Sequence, residues 1–260
     1  MCGIAGIMGS NRVDAIKKMT DIMIHRGPDD SGYYHDDDIS LGQRRLSIID
    51  INHGRQPISN EDDTLQLVCN GEIYNSPQLR ETLIAKGHRF KTATDVEVIL
   101  HLYEEYGDDC VKHLRGMFAF ALWDSVKRRL LMARDHLGQK PLFFCQKNGG
   151  FAFASEVKSI LASEIIKPEI DLEGLWHYMS LRFMPDHHSL FNGIEKLPAA
   201  HYLVLEDNHI MVNRYWDVDF KEKLSASKEN ITDKLDELLL ETVTGHLLSD
   251  VRVGAFLSGG

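Results

Sequence analysis

Short apolar runs alternate with amphipathic stretches along the first two thirds of the chain, and the spacing of the apolar positions separates strands from helices. Residues 4–8 are apolar and predict a strand. Val13, Ile16, Met19 and Met23 then recur at three- and four-residue intervals, the spacing of one helical face, up to the turn His25-Arg26-Gly27-Pro28-Asp29. Strands are predicted over 39–46 and 65–69, feeding loops that carry Arg45 and Asn70. Two helices follow, one over about 77–85 and one in which Val96, Ile99, Leu100 and Tyr103 share a face. Residues 117–123 and 130–133 predict strands joined by a polar turn, and 142–146 pairs with 151–154 across Asn148-Gly149-Gly150. Hairpins of this kind build antiparallel sheets with helices packed outside them, an α+β arrangement rather than a doubly wound parallel sheet.

The pattern changes after Glu169. A helix is predicted over 172–181, and a hairpin over 197–215 turns at Glu206-Asp207-Asn208. The polar stretch 221–228 suits a linker. Ile231, Leu235, Leu238, Leu239 and Thr242 then mark a long amphipathic helix, and the apolar run 251–257 ends in Ser258-Gly259-Gly260. A buried strand entering a Gly-rich turn is how many nucleotide-binding α/β domains begin. The expected division is therefore one domain over 1–220, then a linker and the incomplete start of a second over 221–260.

Composition narrows the function. There are 29 Lys and Arg against 39 Asp and Glu, a formal net charge of −10 with no basic run, which argues against nucleic acid as a partner. No stretch approaches the roughly 18–20 apolar residues of a membrane span. The N-terminus lacks the basic and apolar regions of a secretion signal, so a cytoplasmic protein is expected. Cysteines 2, 69, 110 and 145 are too scattered for a disulfide framework, and no His/Cys/Asp spacing selects a metal site. Cys2 differs from the others: removal of Met1 would give it a free α-amine. Such an amine, with a reference pKa of roughly 7.7–8, can take the thiol proton and so activate a nucleophile.

Cys2 stands in the first of a series of motifs. Met1-Cys2-Gly3-Ile4-Ala5-Gly6-Ile7, His25-Arg26-Gly27-Pro28-Asp29, Arg45-Leu46-Ser47-Ile48, Asn70-Gly71-Glu72-Ile73-Tyr74-Asn75 and Thr94-Asp95-Val96-Glu97 together resemble the glutaminase domain of class II glutamine amidotransferases. Gly116-Met117-Phe118-Ala119-Phe120-Ala121 and Arg134-Asp135-His136-Leu137-Gly138 narrow the resemblance to glutamine-dependent asparagine synthetases, and Leu197-Pro198, Arg214-Tyr215-Trp216 and Leu257-Ser258-Gly259-Gly260 extend it. The resemblance implies a four-layer α-β-β-α N-terminal-nucleophile sandwich of two antiparallel sheets over 1–220. The first helix and strand of an ATP-dependent α/β synthetase domain would follow.

By the same resemblance, Cys2 attacks the side-chain amide of glutamine, while the Asn70 side chain and the Gly71 backbone N–H stabilise the oxyanion. Arg45 holds the substrate α-carboxylate, Glu72 and Asp95 receive its α-ammonium, Arg26 orders a loop near the pocket, and Ser258, Gly259 and Gly260 open an ATP-binding loop. Most of these have a plainer rival: Cys2 as a small buried residue, Asn70-Gly71 as a hairpin turn, Arg45 as a solvated strand charge, Asp95 as a helix cap; Glu72 has none equally specific. His25, His187 and His188 are expected to be structural or exposed, and a triad with one of the histidines has no local pattern to select it. Glutaminase chemistry needs no cofactor; Mg-ATP and aspartate would serve only the synthetase domain, with this chain alone restricted to hydrolysing glutamine. Homodimerisation is left open. Alternatives are another class II amidotransferase, such as a β-lactam-forming one, or a non-catalytic regulatory subunit of the same fold.

Overall fold

The computed structural model describes the chain except residues 11, 148, 186, 222, 224, 257, 258 and 260. In chain order its elements are β1 (Gly3–Met8), α1 (Val13–Asp21), β2 (Asp30–His35), β3 (Ile39–Arg45), β4 (Ile58–Ser59), β5 (Leu65–Ile73), α2 (Ser76–Ala85), α3 (Val98–Tyr106), a 3-10 segment (Gly107–His113), β6 (Gly116–Asp124), β7 (Arg129–Arg134), β8 (Phe143–Lys147), β9 (Gly150–Ala154), α4 (Val157–Ala162), α5 (Leu172–Leu181), β10 (Glu195–Lys196), β11 (His201–Glu206), β12 (His209–Arg214) and α6 (Lys228–Gly245). The strands form two sheets, ordered β10-β8-β9-β1-β3-β2 and β12-β11-β7-β6-β5-β4. The pairings within them are antiparallel.

The central strands are apolar at nearly every position because both their faces are buried, and the two-residue strand period sorts the side chains. In β6, Phe118, Phe120 and Leu122 face outward onto Val98, Ile99 and Leu102 of α3, whereas Ala119, Ala121 and Trp123 face inward onto Phe151 and Phe153 of β9. In β1, Ile4 points between the sheets and Ala5 and Ile7 point to Ile16, Met19 and Ile160 of the helices outside. The result is four layers: α1 and α4, a sheet, a sheet, then α2 and α3.

Three expectations change. Asn70 and Gly71 lie within β5, opposite Ala119 and Phe118 of β6, and not in a loop or hairpin turn. A Cβ on Gly71 would run into the Met117 carbonyl and Phe118 Cα, so glycine is required by the close approach of β6. Asp95 does not cap α3, whose N-cap is Glu97; its carboxylate bonds to β5 instead. Residues 251–256 form no strand and lie exposed, because no sheet edge is beside them to satisfy their backbone groups. Of the segment expected to open an ATP loop, Ser258 and Gly260, with Leu257, fall outside the described residues, as does Asn148 of the β8–β9 turn. α5 forms as its spacing predicts, but both it and α6 present apolar side chains to solvent, and no residue of α6 is buried.

Candidate active site

β1 and β3 lie side by side in one sheet and β5 faces them from the other, so the start of β1, the end of β3 and the end of β5 meet at one end of the sandwich. A cavity of about 110 Å³ opens there, small enough to suit an amino acid rather than a large cofactor. Cys2, Arg45, Asn70, Gly71, Glu72 and Asp95 all line it. These six residues come from four segments of the chain that spacing alone could not bring together.

The Cys2 thiol sits against Leu46, whose backbone N–H donates to Sγ at 3.5 Å while Sγ–H points to the Leu46 carbonyl at 3.7 Å. Burial pushes the thiol pKa up, an effect partly offset by the Leu46 backbone and by the nearby terminal amine, Arg45 and Lys140. Burial also lowers the pKa of the Met1 amine, which favours its neutral, proton-accepting form. With Met1 in place, the Cys2 nitrogen is an amide and cannot serve as a base.

Asn70 is 1% exposed and its Nδ2 has no hydrogen-bond partner among the described residues. A buried amide donor without an acceptor costs roughly 1–3 kcal/mol, so its position in the cavity points to an acceptor that arrives with a ligand. Strand geometry supplies a second donor. The Cys69 N–H is taken by Gln56 Oε1 at 2.6 Å and the Ile73 N–H by Asp95 Oδ2 at 2.6 Å, both on the edge of β5 away from β6. Because alternate residues of a strand direct their N–H groups to the same side, Gly71 N–H lies on that edge between them. Asn70 Nδ2 and Gly71 N–H thus form a pair suited to an oxyanion.

Arg45 is 6% exposed, and among the described residues it has no carboxylate partner. Its Nη1 donates to the Ile51 carbonyl at 3.2 Å, and Nη2 donates to those of Ile49 and Asp50 at 2.8 and 2.7 Å. Gly54 packs directly on Nη2, where a Cβ would collide. The solvated-charge reading is therefore replaced by a buried cation held by carbonyls, with its charge left for an anion. Elsewhere in the cavity, Asp95 is buried and its pKa is pushed up to about 6 by desolvation, against the backbone N–H bonds that lower it. Burial raises Glu72 as well. A fixed cation and two under-compensated carboxylates in one small cavity match the charged ends of an α-amino acid.

Arg26 lies beside the cavity. Its Nε donates to the Cys2 carbonyl at 2.9 Å and its Nη1 to Glu156 Oε1 at 3.0 Å, while Nη2 is buried without a partner. His25 also bonds Glu156, at 2.9 Å, and takes no place in the cavity.

Spacing did not single out Lys140, which is 6% exposed and lines the cavity. Desolvation lowers its pKa, opposed by Glu72 and Asp135, and its Nζ contacts Met1 Sδ at 3.6 Å. Its loop is folded around two buried neighbours. Asp135 accepts the N–H groups of Leu137, Gln139 and Lys140 at 3.1, 2.9 and 3.0 Å, and Arg134 Nε donates to the Lys140 carbonyl at 2.7 Å. The available signal was an Asp followed by a Gly-containing turn, in the motif Arg134-Asp135-His136-Leu137-Gly138.

Comparison with known proteins defines first the class and then the family. The fold is that of the N-terminal-nucleophile amidotransferases: it superposes on glutamine phosphoribosylpyrophosphate amidotransferase from B. subtilis with a TM-score of 0.62 at 18% identity, covering 84% of this chain and 50% of that one. The pattern of the glutamine amidotransferase domain matches residues 1–216, and the chain belongs to that family. It is 39% identical to asparagine synthetase [glutamine-hydrolyzing] 1 of Bacillus subtilis (strain 168), over 100% of this chain and 42% of that protein. It is also 39% identical to asparagine synthetase [glutamine-hydrolyzing] 3 of the same organism, over 100% of this chain and 44% of the relative. The chain therefore spans less than half the length of these curated relatives. Among the described residues, no helix is long and apolar enough to cross a membrane.

Proposed function

We propose that this chain is the glutaminase part of a glutamine-hydrolysing asparagine synthetase. The observation that carries the reading is the convergence on one cavity of Cys2, the unpartnered Asn70 Nδ2, a buried Arg45 without a carboxylate, and Asp95 with Glu72. Arg45 takes the glutamine α-carboxylate and Asp95 and Glu72 its α-ammonium, which sets the side-chain amide toward Cys2. Once Met1 is removed, the Cys2 amine accepts the thiol proton and Sγ bonds to the amide carbon. The carbonyl π electrons move to oxygen, where Asn70 Nδ2 and Gly71 N–H hold the charge. The C–N bond then breaks, and the departing nitrogen takes the proton from the amine to leave as ammonia. Water, deprotonated by the same amine, attacks the thioester; the C–S bond breaks, releasing glutamate and regenerating the thiol.

In the longer protein, the ammonia would amidate aspartate in a reaction needing Mg-ATP. The names of the curated relatives and their similarity along the whole of this chain support asparagine synthesis over the alternative acceptors. Four free cysteines, one of them the nucleophile, suit the reducing cytoplasm.

Intact mass and glutamate release test the glutaminase reading together. The active protein is expected to begin at Cys2, and specific activity should scale with the fraction that has lost Met1. Normal activity in protein that retains Met1 would overturn the terminal-amine base. Cys2→Ala should abolish turnover yet bind glutamine, since it removes the nucleophile and none of the recognition groups.

A further inference from the structure

On the far side of β5 from the cavity, two histidines and several glutamates converge from three separate segments. Glu61 comes from the β4–β5 turn, His88 from the loop after α2, and His101 and Glu104 from α3. One ligand atom from each of the four lies within 4.8 Å of the others. Glu104 Oε2 is 2.8 Å from His101 Nδ1 and 3.4 Å from His88 Nδ1. Glu61 completes the set, its Oε1 3.6 Å from His88 Nδ1 and its Oε2 3.6 Å from His101 Nδ1. A tetrahedral ion bonded at about 2.0–2.1 Å keeps its ligand atoms about 3.3 Å apart, so these separations already match such a shell.

The groups behind the four ligands are ordered in the way metal sites require. His88 Nε2 meets Glu105 Oε1 at 3.1 Å. The fully buried His101 turns Nε2 toward Glu97 Oε1 at 3.9 Å, a nitrogen left without a hydrogen bond. Glu104 Oε1 accepts from Asn60 Nδ2 at 2.9 Å, and Glu61 Oε1 from the Arg89 N–H at 2.8 Å. Each imidazole thus offers Nδ1 to the centre; the carboxylate bonded behind His88 Nε2 is the arrangement that fixes the tautomer and raises the basicity of a ligating histidine, and Glu97 stands behind His101 Nε2 at the longer distance. The rim is open: the Glu61 and Glu104 side chains are partly exposed, which leaves an entry path.

We propose that Glu61, His88, His101 and Glu104 bind a structural zinc ion that ties the β4–β5 turn and the loop after α2 to α3. Two imidazoles and two carboxylates gathered this closely suit zinc better than magnesium or calcium, which take larger all-oxygen shells. Glu97, behind His101, also accepts the backbone N–H groups of Lys91 and Thr92 at 2.5 and 2.7 Å, so the ion would stiffen the segment leading to Asp95. The site is separate from Cys2 and does not depend on the glutaminase reading. Spacing along the chain gave no hint of it because the ligands come from three distant segments.

The test is a zinc titration of the metal-stripped chain by calorimetry, carried out on Cys2→Ala so that the nucleophilic thiol does not compete for the ion. One equivalent should bind and raise Tm by several degrees. Cobalt in its place should give the intense visible absorption of a tetrahedral centre. Adding His88→Asn, at the edge of the cluster, should weaken zinc binding at least about 100-fold, and Glu105→Gln, which lies behind His88 and also pairs with Lys86, about 10- to 100-fold. His177→Asn, in the separate group of Glu173, His177 and His188 on and beyond α5, should leave binding unchanged. No stoichiometric zinc, or equal affinity in the parent and in both the His88 and Glu105 variants, would show the cluster to be an ion-pair network only and overturn the proposal. Loss of binding in His177→Asn would likewise overturn it.

Discussion

Arg26 Nε donates to the carbonyl oxygen of Cys2 at 2.9 Å, and the same guanidinium reaches Glu156 at 3.0 Å. The loop between α1 and β2 is thereby fastened to the residue that carries the nucleophile, on its backbone and not on its sulfur. Arg26 is a positioning residue in this arrangement. Arg26→Ala should lower kcat for glutamine hydrolysis by about 10- to 100-fold, the scale expected when a nucleophile is displaced by about 1 Å, with KM close to the parent value. Arg26→Lys should recover only part of the loss, because a point charge cannot make both bonds. A rise in KM at unchanged kcat would mean that Arg26 binds substrate instead.

Arg45 should behave differently, because its charge faces the cavity. Losing a buried, charged partner of the substrate carboxylate leaves that carboxylate desolvated and unpaired. Arg45→Ala should therefore lower kcat/KM for glutamine by roughly two to four orders of magnitude. The three carbonyls that now receive the guanidinium would also lose their donors, so the 46–54 loop should loosen. Steady-state kinetics with glutamine, and with an analogue lacking the α-carboxylate, check the assignment: the variant should no longer discriminate between them.

Much of this was legible in the chain. The hairpins β6–β7, β8–β9 and β11–β12 announce themselves through paired apolar runs around polar or Gly-containing turns. α5 and α6 follow from helical spacing. What spacing could not supply was the extent of β5, since Asn70-Gly71 is a turn signal in any isolated segment and only the β6 backbone lying against Gly71 keeps it extended. Residues 251–256 failed in the opposite sense, because apolarity alone cannot provide the neighbouring strand that pairing requires. Cys2, Arg45, Asn70, Gly71, Glu72 and Asp95 were reached through a family resemblance, and Lys140 was not; the environment that makes Arg45 a buried cation and Asp95 an elevated carboxylate depends on contacts between distant segments.

The elevated Asp95 pKa makes opposite predictions for stability and for catalysis. An unfolded aspartic acid titrates near 3.8, and in the folded chain Asp95 does so at about 6. Between those pH values the native state holds a proton that the unfolded state has released, so this residue's contribution to stability falls as pH rises through the window and stays low above it. The penalty above pH 6 is at most about 3 kcal/mol. Asp95→Asn cannot ionise and keeps an acceptor for the Ile73 N–H, so it should raise Tm at pH 7–8 and leave it near the parent value at pH 4. Substrate binding needs the carboxylate charged: kcat/KM of the parent should decline by up to about tenfold per unit as pH falls below about 6. Burial raises Glu72 in the same direction, and its charge adds a minor part to the elevation of Asp95. Thermal unfolding and kcat/KM measured across pH 4–8 separate the two effects, and a variant that is less stable than the parent at pH 8 would refute the unpaired-carboxylate account.

Asn70 offers the sharpest separation of function from fold. Its Nδ2 has no partner among the described residues, so removing it forfeits none of their hydrogen bonds and relieves a buried donor. The main structural cost of Asn70→Ala is the space left at the cavity wall. If Nδ2 receives the oxyanion, the interaction strengthens as the amide carbonyl becomes tetrahedral, and its loss falls on the transition state rather than on bound glutamine. Asn70→Ala should then lower kcat by about 10²- to 10³-fold with KM little altered, and Tm should change by no more than a few degrees. Asn70→Asp is the harsher replacement, since it sets a carboxylate where negative charge develops and should be slower still, despite its near-identical shape. Thioester trapping discriminates the step: the variant should form the acyl-enzyme slowly and accumulate none at steady state. If instead kcat is preserved and KM rises by the same factor, Asn70 contacts ground-state glutamine and the oxyanion must be held elsewhere.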